Sequence, residues 1–195
     1  MPVYSYDQPE RFVAGVVGQP GDRAFYLQAR GAGRLTSVAC EKVQVAALAE
    51  RLDELLDEVL RRGSGQVPAV TPADLRDDDP LEQPIMADFR AGTIALAWDS
   101  EGEVVVIECE SAEAETDPES LDEPGSADDD RLLSETGDAD VLRVRIGPAA
   151  ARAFAERALK LVAAGRPPCP LCGLPLDSDG HVCPRQNGYR GGASA

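Results

Sequence analysis

The stretch Leu35-Thr36-Ser37-Val38-Ala39-Cys40-Glu41-Lys42-Val43-Gln44-Val45-Ala46-Ala47-Leu48-Ala49-Glu50-Arg51-Leu52-Asp53-Glu54-Leu55-Leu56 changes its pattern halfway along. Residues 35–40 form a short β-prone run. From Val45 onward, Leu48, Ala49, Leu52, Leu55, Leu56 and Val59 recur at helical spacing, and Glu50, Arg51, Asp53, Glu54, Asp57 and Glu58 occupy the remaining face. A strand therefore feeds an amphipathic helix over roughly residues 41–62, stopped by Gly63.

Upstream, Arg11–Val17 and Ala24–Ala29 are two further β-rich runs, separated by Gln19-Pro20-Gly21-Asp22, and Gly31-Ala32-Gly33 leads into the third. Three such runs with short turns predict an antiparallel meander. Downstream the same order returns. Phe89–Trp98 and Val104–Cys109 flank the turn Asp99–Gly102, and Val141–Ile146 alternates with period two. Gly147-Pro148 then opens a second helix, because proline is preset for a first helical turn. Its apolar stripe is Ala151, Phe154, Ala155, Ala158, Leu161 and Val162, with Gly165 at its end. Phe12-Val13-Ala14-Gly15 aligns with Phe89-Arg90-Ala91-Gly92, and Ala49-Glu50-Arg51 with Ala155-Glu156-Arg157. The expectation is an α+β fold of two pseudo-repeated strand-strand-strand-helix units with antiparallel meanders, plus a small C-terminal zinc-binding lobe. The expected division is 1–62 for the first unit, 63–88 for a Pro/Asp-rich linker, 89–165 for the second unit and 166–195 for the lobe. A ligand site is expected between the units, where pockets tend to form.

The 195 residues carry a formal charge of −16, unevenly distributed. Residues 111–140 hold twelve acids and one base, a local −11, together with few large apolar groups. Such a stretch buries too little apolar surface to offset ordering entropy, so it is expected to be a solvating insertion in the second unit. The overall acidity argues against sequence-independent nucleic-acid binding and against attachment to an anionic membrane. The segment Met1–Asp7 has no apolar signal core, and the longest uncharged run near a helix, Val43–Ala49, is far too short to span a bilayer. A cytoplasmic protein is the expectation. Five cysteines, an odd number, make a poor disulfide framework there.

The sharpest chemical signal is Cys169-Pro170-Leu171-Cys172-Gly173, followed by His181-Val182-Cys183. A Cys-x-x-Cys turn presents two sulfurs to one ion, and Zn²⁺ takes four thiolate or imidazole ligands in a tetrahedron. Cys169, Cys172, His181 and Cys183 therefore make a Cys₃His set for a closed, structural Zn²⁺, the staple that so short a lobe requires. A redox pair lacks the flanking strand and helix of a thioredoxin-type site; unliganded thiols are the other alternative. His-x-Cys, which supplies His181 and Cys183, departs from the Cys-x-x-Cys that is the usual second arm of a zinc ribbon.

The tail Cys-Pro-Leu-Cys-Gly-x-Pro-Leu-Asp (Cys169–Asp177) with Gly-His-Val-Cys-Pro-Arg-x-Asn-Gly-Tyr-Arg (Gly180–Arg190) resembles an actinobacterial family of unknown function, domain-of-unknown-function family 3090. Ser37–Leu56, Tyr4–Gly15 and the strand pair around Trp98 resemble it too. The resemblance implies no activity. It does imply genomic neighbours resembling a phosphoinositide kinase and a phosphomutase, so a kinase-like or phosphomutase-like protein is an expected partner.

Candidate catalytic groups are scarce. The single histidine is assigned to metal, which removes Ser-His-Asp and Cys-His arrangements. There is no phosphate-binding glycine loop and no His-Glu-x-x-His. Glu108 and Glu110 share one strand face, expected to be solvated, and Cys40 and Cys109 are expected to be ordinary core thiols. Arg23, Arg30, Arg34, Arg143, Arg145 and Arg152 would form a phosphate site only if they converged. The expected function is a non-enzymatic, zinc-binding adaptor with a protein partner. The alternative is an enzyme or regulatory subunit of a phosphoryl-transfer system, holding a phosphorylated ligand in the inter-repeat cleft.

Overall fold

The computed structural model describes residues 2–19, 21–63, 65–112 and 139–164 and, in the C-terminal segment, 169, 171, 172, 183 and 185. The elements are β1 (Val3–Asp7), β2 (Arg11–Gln19), β3 (Asp22–Gly31), β4 (Arg34–Cys40), α1 (Lys42–Arg62), a short 3₁₀ turn (Ala73–Leu75), β5 (Phe89–Asp99), β6 (Val104–Ser111), β7 (Val141–Ile146) and α2 (Pro148–Ala163). The fold is α+β: seven strands in one mixed sheet, ordered β1-β7-β6-β5-β4-β3-β2, with two helices. Two three-stranded meanders lie side by side, joined by a parallel β4–β5 contact of two residue pairs, Val38 with Phe89 and Ala39 with Arg90. Ala49 and Ala155 fall at the same position counted from the starts of α1 and α2, and both are fully buried.

The sequence reading did not include β1. Its Val-Tyr-Ser-Tyr alternation is too short to stand out, and its partner is β7, far along the chain, in a parallel ladder from Val3–Val141 to Asp7–Arg145. β1 also dictates the sheet's shape. β1 and β2 are the two edges, yet only residues 8–10 separate them. A flat seven-stranded sheet would hold its edges about 29 Å apart. The four Cα steps from Asp7 to Arg11 span at most about 15 Å. The sheet must therefore curl. Contacts across its concave side agree: Tyr6 Oη lies 2.7 Å from Thr36 Oγ1 in a buried hydrogen bond, and the Tyr4 and Phe89 rings stack at 6.1 Å.

Register decides which side chains meet. In β3, Phe25, Leu27 and Ala29 join the core, with Val38 of β4 and Ala14 of β2. β6 and β7 add Val105, Ile107, Cys109, Leu142, Val144 and Ile146. The helices close this core with Val45, Leu48, Ala49, Leu52, Leu56 and Val59 from α1, and Ala151, Phe154, Ala155 and Ala158 from α2. Phe154 stacks on Phe12 at 4.7 Å. α1 is capped at both ends as its sequence requires. The Glu41 amide donates to Gln44 Oε1 at 2.8 Å, and Gly63 takes the left-handed conformation (φ 65°) that glycine adopts without penalty.

Residues 63–88 connect the two halves and also pack on the sheet. Gln28, which faces away from the core, accepts from the Glu82 amide at 2.8 Å and donates to the Glu82 carbonyl at 3.0 Å. Ser37 and Asp88 bond reciprocally at 2.9 and 2.8 Å. Leu81 sits so close over Gly15 that a Cβ there would lie 2.3 Å from Leu81 Cγ. Gly15→Ala is therefore expected to cost about 1–3 kcal/mol by overpacking. Denaturant unfolding of Gly15→Ala, Leu81→Ala and the double variant checks this, because the double should cost less than the sum of the singles. No helix among the described residues is long and apolar enough to cross a membrane.

Candidate metal centre

After α2 the chain brings Cys169, Cys172 and Cys183 together, with all three sulfurs within 4.8 Å of one another. Cys169 and Cys183 are buried, and their sulfurs lie 3.9 Å apart, too far for a disulfide bond. Tetrahedral thiolates around a zinc ion at about 2.3 Å have an S···S edge of about 3.8 Å, so the observed spacing suits that ion. The Cys-Pro-Leu-Cys turn explains the approach. The Leu171 amide donates to Cys169 Sγ at 3.4 Å, as the backbone folds around the sulfur. Amide donors from Cys172 and Leu171, followed by the neighbouring thiols, hold the Cys169 thiol below its ordinary pKa, which favours the metal-binding thiolate. Three of the four sequence-assigned ligands are thus gathered in one place. The fourth, His181, lies outside the described residues, as does most of the acidic insertion. The ends of that insertion do meet: the Ser111 amide donates to the Asp140 carbonyl at 2.8 Å.

The other two cysteines are chemically different. Burial pushes the Cys40 thiol up to about 12 and raises that of Cys109 as well, so both stay protonated core groups.

Glu108 corrects the sequence reading. Its expected solvated face is covered, and its side chain is fully buried and paired with Arg143, its cross-strand neighbour on β7. Period two identifies a face correctly but does not say whether both faces of a curled sheet are covered. Glu108 Oε2 has no hydrogen-bond partner among the described residues.

The arginines do not converge. Arg145 pairs with Asp99 at 2.8 Å, and Arg30 with Glu82 at 3.2 Å. Arg34 donates to the Ser5 carbonyl at 3.1 Å, and Arg23 to that of Ala164. Arg152 is buried between the helices and binds Asp53 at 2.6 Å and Asp57 at 2.8 Å.

Sequence reasoning passed over a pair that does converge. Arg11 of β2 and Arg157 of α2 grip Asp77, at 2.6 and 2.8 Å, and Arg157 also donates to the Ala14 and Asp79 carbonyls at 2.9 and 2.6 Å. The signal was an Asp77-Asp78-Asp79 run inside a segment otherwise read as a linker. The Arg11 hydrogen bond is the main cause holding the Asp77 carboxyl below the usual range. Its folded pKa is thus lower than its unfolded one, near 3.9. The stability it contributes is complete above about pH 4 and is lost as pH falls through the depressed folded value. Asp77→Asn should therefore lower stability by about 1–2 kcal/mol at neutral pH. It should also flatten the loss of stability below about pH 4, measurable by urea melts across an acid pH series.

The structure also contains a groove of about 890 Å³ between α1 and β5, one element from each half of the chain.

No curated protein and no solved structure matches the chain. A family model described as "Protein of unknown function (DUF3090)" matches residues 4–183, a span containing the whole sheet from Tyr4, both helices and all three clustered cysteines. The chain belongs to that family.

Proposed function

We propose that the protein is a non-enzymatic interaction module: a curled α+β body carrying a C-terminal lobe stapled by structural Zn²⁺, acting on another protein in the cytoplasm. The observation that carries this reading is the three-sulfur cluster, in which the Cys169–Cys183 separation of 3.9 Å is close to the edge of a tetrahedral zinc-thiolate site. Cys169, Cys172 and Cys183 would hold the ion, with His181 as fourth ligand. Four soft ligands leave no open position for substrate, so the metal's role is to fold the lobe.

The phosphoryl-transfer alternative has less support. The arginines that could anchor a phosphorylated ligand are engaged by internal carboxylates and carbonyls. The test is affinity capture with the full chain as bait, followed by mass spectrometry. A stoichiometric protein partner supports the module. A melting shift with nucleotides or phosphosugars, without any such partner, overturns it in favour of the alternative.

A further inference from the structure

β4 and β5 pair at only two residue positions, and then β4 ends at Cys40 while β5 runs on to Asp99. β6 covers one edge of β5 along the ladder from Ile94–Cys109 to Asp99–Val104. The opposite edge, from Thr93 to Asp99, has no strand beside it among the described residues. Where β4 stops, a side chain takes its place: Gln44 Nε2 donates to the Ala91 and Gly92 carbonyls at 3.1 and 2.8 Å. Beyond Gly92 that substitution ends. In a strand, alternate residues turn their N–H and C=O to each side, so the bare stretch offers a row of donors and acceptors.

The α1–β5 groove meets β5 at Gly92, Ile94 and Leu96, where this stretch begins. Its β residues all belong to β5, and its other wall is one stripe of α1 running from Gln44 to Arg61. That stripe is about 25 Å long at the helical rise, which matches seven to eight extended residues. Leu48, Leu55, Ile94 and Leu96 give the groove an apolar lining. Arg51 and Glu54, both exposed, stand on its helical wall.

An edge with no strand beside it among the described residues, next to an apolar trough, fits one kind of occupant, an extended chain. Its main chain would pair with β5, and its alternate side chains would enter the trough. We infer that the α1–β5 groove binds an extended segment of a partner protein, which adds as a strand to the free edge of β5. This rests on the interaction-module reading and locates its docking surface.

The experiment uses full-length protein and a displayed library of random nine-residue peptides. Enriched peptides are resynthesised with N-methyl groups at single backbone positions. The expected result has four parts. Enriched sequences alternate apolar residues. Amides within 93–99 gain hydrogen-exchange protection on binding. N-methylation weakens binding at every second position only, because only alternate amides face β5. Leu96→Lys and, from the helix side, Leu55→Lys each weaken binding at least tenfold, with circular dichroism confirming that the variant is folded.

No enriched peptide, protection elsewhere, or indifference to the methylation pattern overturns the inference. So does concentration-dependent dimerisation that protects 93–99, which would give the edge to a second copy of this chain. A captured protein partner that binds wild type and Leu55→Lys equally sinks the groove proposal while leaving the interaction module standing. Absence of both partner and peptide sinks both.

Discussion

Cys169→Ser is expected to take zinc from about one ion per chain to near zero. The reason is geometric. Cys169 lies 3.9 Å from Cys183 and accepts from the Leu171 amide, so removing its thiolate would remove one vertex of the proposed coordination shell. Small structural zinc sites contribute about 10–16 kcal/mol of apparent binding energy near neutral pH, and nearly all of it is folding energy of the surrounding lobe. The body has its own core, contributed by the sheet and both helices. The variant should therefore lose the order of its C-terminal lobe while the main melting transition moves little. Elemental analysis of tag-free protein measures the metal, and proteolysis or hydrogen exchange measures the lobe. Chelation of the wild type should reproduce both effects and make Cys169, Cys172 and Cys183 open to alkylation. Cys109, buried, and Cys40, half-buried, both raised in pKa, should react far more slowly. Acid should release the ion as well, because thiolates must lose their protons to bind it. Wild-type protein purified without any bound metal would refute the site.

The second large effect is expected at the junction of the helices. The Arg152 side chain is only 8% exposed, whereas its partners Asp53 and Asp57 are 44% and 58% exposed. The asymmetry decides which side of the pair is costly to lose. Removing both acids with Asp53→Ala/Asp57→Ala strands a buried guanidinium, whose remaining acceptor among the described residues is the Pro68 carbonyl at 3.3 Å. An uncompensated buried charge costs about 3–5 kcal/mol, and partial solvation of the lost partners places this case at the low end. Arg152→Met removes the charge itself and frees two carboxylates that reach water. It should cost distinctly less, about 1–2 kcal/mol. Urea unfolding of the two variants reads the order directly. If Arg152→Met is the more damaging, the arginine contributes through packing of its stem and not through its pairing.

Local pattern carried far in this chain. The change of period at Cys40–Glu41 located the junction of β4 and α1, and Gly63 marked the helix end. The alternation of Val141–Ile146 matched β7, and Pro148 opened α2. These elements were legible because each depends on neighbours within a few residues. β1 was not. Five residues of weak alternation become a strand only because β7, more than 130 positions later, supplies the ladder. Glu108 was misplaced for a related reason: its alternation set the face, but burial of that face depends on chain arriving from elsewhere. Asp77 belonged to an acidic run that composition alone described as a connector. Only the closeness of Arg11 and Arg157 makes it a clamp.

The candidate metal centre divides in the same way. Spacing singled out its candidate cysteines, since Cys-x-x-Cys brings two sulfurs together around a single turn. That Cys183 joins them within 4.8 Å is a property of the fold. The sequence by itself determined the secondary elements other than β1, the charge concentrated in residues 111–140 and the cysteine types of the cluster, because those follow from short-range periodicity and chemistry. The tertiary structure alone decided that the sheet curls, that six arginines are dispersed onto internal partners, and that β5 outruns β4, so that among the described residues no strand lies beside its edge. Each of these depends on contacts between residues far apart in the chain, and no local pattern encodes such a distance.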